Sequence, residues 1–107
     1  MVIRAKTFRR WMEVNEKDYL SDIVGHGCVS GFPGLTYYTD TQALYRRFSG
    51  EIWRIAEQVA DCAGYESVLE LLVSCNGADQ VTDAVMFENL MVWLAAEEIA
   101  RRLVEEV

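Results

Sequence analysis

"AVMFENLMVWLAA", residues 84–96, decides how this chain folds. Only Glu88 and Asn89 interrupt its apolar character, and it holds neither glycine nor proline. A helix that is apolar on every side is usually central and buried. The stretch is therefore expected to form the middle of the core, with Trp93 enclosed. It is also too short to cross a bilayer, which takes roughly 18 to 20 apolar residues. Beyond Ala95 the pattern turns amphipathic, with Ala96, Ile99, Leu103 and Val107 on one stripe. Glu97/Arg101 and Glu98/Arg102 are four apart in the favourable order, so one helix from Thr82 or Asp83 to Glu106 is expected.

The segments around it carry the same helical spacing. Phe8, Trp11 and Met12 predict a short first helix over about Arg4 to Val14. Asn15 can cap a second helix, striped by Tyr19, Leu20, Ile23 and Val24 and ended by Gly25. Thr39 with Gln42 matches a capping box, or Thr41 is itself the cap, for a longer helix. Its stripe is Leu44, Tyr45, Phe48, Ile52, Ile55, Ala56, Val59 and Ala63; Ser49-Gly50 can kink it and Gly64 ends it. Ser67 to Glu70 is a second capping box, opening a short helix to about Cys75 that Asn76-Gly77 breaks. The expected fold is all-α: a single compact domain over residues 1–107, about five helices, with the C-terminal one central.

One stretch does not fit the pattern. "HGCVSGFPGLTYYTDT", residues 26–41, holds the only histidine, the only proline and three of the seven glycines. Phe32-Pro33-Gly34 reads as a turn, with proline fixing φ and glycine supplying φ > 0. A packed, irregular Gly/aromatic connector accounts for this composition. Such loops also carry binding surfaces, and Phe32, Tyr37 and Tyr38 are the candidates for contact.

Charge is the more informative signal. Residues 1–54 carry eight Lys/Arg against six Asp/Glu, whereas no basic residue occurs between Ile55 and Ala100. Nine acids fall in that interval, within a chain of net charge −7. Glu57/Asp61, Glu66/Glu70 and Asp79/Asp83 are like-charge pairs four apart, which on a helix cost a few tenths of a kcal/mol each. A solvated surface is one reading. The other is an anionic face for a basic partner, made of these six residues. A field of this sign opposes direct binding of nucleic acid.

Chemistry finds little purchase. Cys28, Cys62 and Cys75 are an odd number without C-x-x-C spacing, so scattered structural thiols in a reducing cytoplasm are expected, and no metal or cofactor. His26 and Cys28 lack a third group to orient a base, and no phosphate-binding loop is present. No catalytic residue is assigned. The N-terminal MVIRAKTFRRWMEV spreads its charges and has no apolar core, so no signal peptide or membrane association is expected.

At Gly31 to Tyr38 (GFPGLTYY), Ala43 to Tyr45 (ALY) and Glu51 to Trp53 (EIW), the sequence resembles small uncharacterised proteins of phages and other mobile elements. Cys75 to Ala78 (CNGA) and Asn89 to Arg101 (NLMVWLAAEEIAR) are similar too, so the likeness covers roughly the last 80 residues. That resemblance supplies no catalytic residues. It implies an accessory gene, and small acidic proteins from such sources are often inhibitors of host defence, such as anti-CRISPR or anti-restriction proteins. On that basis the expected function is non-enzymatic: blocking the basic nucleic-acid path of a host protein or ribonucleoprotein, with a CRISPR effector as the leading target. The alternative is a phage or plasmid regulatory protein that binds a host protein through the Gly/aromatic loop.

Overall fold

Helix ends, as much as helix faces, set this architecture. The computed structural model describes residues 3–15 and 41–106, and within them all regular structure is helical. Five helices occur there: α1 Phe8–Asn15, α2 Thr41–Cys62, α3 Val68–Asn76, α4 Ala78–Thr82 and α5 Ala84–Glu106. The domain is all-α, as the spacing implies. The expected helix after Asn15 and the connector that follows lie outside the described residues. Among the described residues the fifth helix is α4, a single turn that a periodicity test is too coarse to find.

The first helix begins at Phe8 rather than Arg4 because its free amides are satisfied there. Thr7 Oγ1 accepts from Arg10 N at 3.1 Å, and the Thr7 carbonyl accepts from Trp11 N at 3.0 Å. The remaining two donors, Phe8 N and Arg9 N, reach the Glu51 carboxylate at 2.9 and 3.2 Å. A side chain from α2 thus completes the cap of α1, and the free amides of Phe8, Arg9 and Arg10 at that helix start are all paired.

The second helix buries Leu44, Phe48, Ile52, Ile55, Ala56 and Ala60. Its kink falls at Phe48 (φ −120°, ψ 24°), just before the Ser49-Gly50 pair that suggests it. Phe48 packs on Phe8, ring centroids 5.8 Å apart, with the Arg47 guanidinium 4.9 Å from its centroid. Ala63, expected on the stripe, is exposed because the helix has already ended at Cys62. There Gly64 (φ 85°) forms a Schellman motif: Gly64 N donates to Asp61 O at 3.1 Å and Tyr65 N to Ala60 O at 2.9 Å. Gly77, at φ 91° and ψ 154°, separates α3 from α4 in backbone territory that side-chain-bearing residues avoid.

The last helix packs most heavily on α2 and also meets α1 and α4, so it is central. Leu90, Met91, Val92, Ala95, Ala96, Ile99 and Ala100 are buried. The all-round burial expected of residues 84–96 is incomplete, however. Val85 is exposed, and Met86, Phe87, Trp93 and Leu94 are half-buried. Thr41, the one polar residue in the buried class among the described residues, donates its hydroxyl to Asn89 Oδ1, which gives a partner to the amide set among apolar neighbours. Trp53 stands against Phe87, centroids 6.0 Å apart, and donates its Nε1 proton to Tyr45 Oη at 2.9 Å.

Candidate functional site

The end of α2, the turn after it, α3, α4 and the cap of α5 carry the six acids in succession, and all six side chains are exposed. Glu57 and Asp61 stand one turn apart near the end of α2. The Gly64 turn then leads through half-buried Tyr65, whose hydroxyl meets Ser74 Oγ at 2.9 Å, to Glu66. Ser67 caps α3, its Oγ accepting from Glu70 N at 3.1 Å. Glu70 turns back, and its carboxylate accepts from Glu66 N at 3.3 Å. Asp79 lies in the first turn of α4. Asp83 caps α5, its Oδ1 accepting from Met86 N at 2.9 Å while its carbonyl accepts from Phe87 N at 2.8 Å.

This geometry revises the meaning of the spacing. Glu66 precedes α3, and Asp83 follows α4, so only Glu57/Asp61 is a like-charge pair within one helix. Glu70, Asp79 and Asp83 occupy helix starts, where the dipole favours a negative charge. Their presence has a reason in folding. Glu57 and Asp61 have none: they repel each other, close to a helix C-terminus where anions are disfavoured. Glu66 offers its backbone N–H to a cap, yet its side chain caps nothing.

Among the described residues, no ion pair reaches any of the six. Four acids elsewhere are matched: Glu13 with Arg9 and Arg10, Glu106 with Arg9 at 2.5 Å, Glu97 with Arg101, and Glu98 with Arg101 and Arg102, whereas Glu88 and Glu105 meet no cation among the described residues. The hydrogen bond from Arg9 to Glu106 is the chief cause that raises the Arg9 pKa above its ordinary value. The fold also brings to this region two cations that the linear charge map places beyond it. Arg101 and Arg102 border a hollow of about 280 Å³ beside Cys62, and Arg102 donates to Gln58 Oε1 at 2.5 Å. They form one edge of the acidic surface, with their charge already met by Glu97 and Glu98.

The cysteines correct an expectation. Cys62 and Cys75, expected as structural thiols, are exposed, since each sits at the last turn of its helix. Among the described residues, no group of three His, Cys, Asp or Glu side chains is placed to hold a metal ion. None of the described helices is long and apolar enough to cross a membrane. His26, Cys28 and the loop candidates Phe32, Tyr37 and Tyr38 lie outside the described residues.

Two features escape a reading of the sequence. Glu51 caps α1 across 42 and 43 residues, a pairing that no local pattern signals. The other is an apolar groove between α3 and α5, about 200 Å³, against which Trp93 and Leu94 are turned. Its signal is visible afterwards in VLELLV, residues 68–73, where five of six positions are apolar and one helix face cannot bury them all.

Comparison with protein families places the chain. A family model described as a domain of unknown function, DUF7222, matches residues 3–107, and the chain belongs to that family. No curated protein and no solved structure matches it.

Proposed function

We propose that this DUF7222 domain is a non-enzymatic interaction protein whose acidic surface occupies a basic, nucleic-acid-binding path on a protein partner. The observation that carries the reading is the uncompensated charge of Glu57, Asp61 and Glu66, three exposed carboxylates with neither a cap nor an ion pair among the described residues. Glu70, Asp79 and Asp83 add to the same field while serving helix starts. Carboxylates presented on rigid helices compete with phosphates for Lys and Arg, and a one-signed field steers encounter from a distance. The resemblance to phage and mobile-element proteins makes a host defence complex the partner of choice, with a CRISPR effector the first to test.

The test uses a purified CRISPR effector ribonucleoprotein and its target DNA. The parent protein should inhibit target binding, and its association should slow steeply as salt rises toward 0.3 M. Asp61→Lys with Glu66→Lys moves the net charge from −7 to −3, since each reversal adds two, and disturbs no cap. That variant should bind at least about ten-fold more weakly, chiefly through slower association. Equal inhibition by parent and variant in moderate salt overturns the acidic-surface mechanism and leaves the loop of Phe32, Tyr37 and Tyr38 as the surface to test.

A further inference from the structure

From the groove beside the acidic surface we infer that the partner's contact segment is a protein element with one bulky apolar side chain flanked by Lys and Arg, and that α3 and α5 seat this side chain. The inference rests on the acidic-surface reading and adds the anchor which that reading lacks. The groove is walled by Leu71 and Leu72 of α3 and by Leu90, Trp93 and Leu94 of α5. At about 200 Å³ it falls below the roughly 300 Å³ where small-molecule sites begin. An apolar space of about 150 Å³ already admits a benzene-sized guest, so the groove matches one aromatic or aliphatic side chain.

The face of α3 next to the groove wall is also apolar. Leu69 and Val73, one turn apart on α3, are 55% and 38% exposed, and Leu69 neighbours Leu72 of the groove wall at three residues' separation. A leucine left half in water next to an open apolar slot costs stability without return unless something covers it. Unpaired charge nearby is acidic: Glu66 and Glu70 stand at the start of the same helix, while Glu97, which lines the groove, is held by Arg101 at 3.4 Å. An apolar centre within a polar rim is how interfaces concentrate binding energy.

Charge selects the occupant. A second copy docked about a two-fold axis would set these carboxylates against their own counterparts, because residues 56 to 99 contain no Lys or Arg. Anionic lipid headgroups and nucleic acid are opposed for the same reason. A cationic segment with an apolar anchor satisfies both features, most simply as an amphipathic helix laid in the groove.

Three synthetic helical peptides test this by calorimetry: one rich in Lys with a single central Phe, the same peptide with Ala in that place, and the Phe peptide with every Lys changed to Glu. The parent should bind the Lys/Phe peptide at least about ten-fold tighter than the Lys/Ala peptide, the scale of burying one aromatic side chain. Leu69→Ser with Val73→Ser should remove most of that preference while retaining salt-dependent binding of both Lys peptides. Equal affinity of the parent for the two Lys peptides overturns the groove and leaves the acidic surface standing. Equal affinity for the Lys and Glu peptides overturns the acidic surface, and with it the charge of the occupant. A concentration-dependent dimer that the double serine variant abolishes assigns the groove to a second copy and overturns the inference.

Discussion

Two stretches of α2 treat charge in opposite ways. At its middle, the Glu51 carboxylate is drawn into the fold, where it holds the amides of Phe8 and Arg9. The neighbouring arginines of α1 likewise close on Glu13 and Glu106. Near its end, Glu57 and Asp61 face water without a partner among the described residues. The same residue type stabilises in one place and costs free energy in the other. A carboxylate that stabilises tells little about function. A pair retained against its own repulsion is what marks a surface as built for something outside the chain.

The sharpest way to break the comparison is to remove a carboxylate from each stretch. Glu51→Ala strips two backbone donors of a charged acceptor, and hydrogen bonds to charged groups contribute about 1.5 to 3 kcal/mol each way of counting. Urea unfolding should show a loss in that range, while Glu57→Ala should fall within about 0.5 kcal/mol of the parent. Comparable losses for the two would erase the distinction between a structural and an uncompensated carboxylate.

A smaller effect separates acids that the sequence treats alike. Glu70→Lys removes the acceptor for Glu66 N and sets a cation at a helix start, so about 0.5 to 1.5 kcal/mol should be lost. Glu66→Lys, one turn earlier but outside the helix, should change stability by less than about 0.5 kcal/mol. Thermal melts of the two single variants at low salt decide this; the reverse order would place Glu66, and not Glu70, in the folding machinery.

That contrast also shows which parts of the molecule could be read in advance. The stripe from Leu44 to Val59, the stops at Gly64 and Gly77 and the Ser67 cap are local patterns, and local physics produces them: 3.6-residue periodicity, glycine at positive φ, a hydroxyl beside free amides. What sequence reading misses is non-local. Glu51 to α1 and Thr41 to Asn89 join positions more than 40 residues apart, and the approach of Arg102 to Gln58 exists only after α5 lies against α2. The acidic residues were legible as a set because an absence of lysine and arginine is a linear property. Their division into caps and uncompensated charges was not, because spacing alone cannot place Glu66 and Asp83 outside the helices that Glu70 and Asp79 begin.

The smallest expected effect bears most directly on function because its sign runs against ordinary mutational experience. Most substitutions destabilise. Asp61→Lys should stabilise: it replaces a repulsive pair by Glu57 and Lys four residues on, the favourable order, and sets a cation in the last turn of α2. The Schellman motif uses only the backbone carbonyl of Asp61, so the cap survives the change. The gain should be about 0.5 to 1 kcal/mol at low ionic strength, shrinking as salt screens it. If melting in 20 mM and in 500 mM salt shows this gain and its decay, then folding alone would have favoured lysine at position 61. An aspartate kept there against that gradient is then explained by what it meets in a partner. If the variant is instead less stable than the parent at both salt concentrations, Asp61 contributes to the fold, and the acidic surface loses one of the three residues on which its assignment rests.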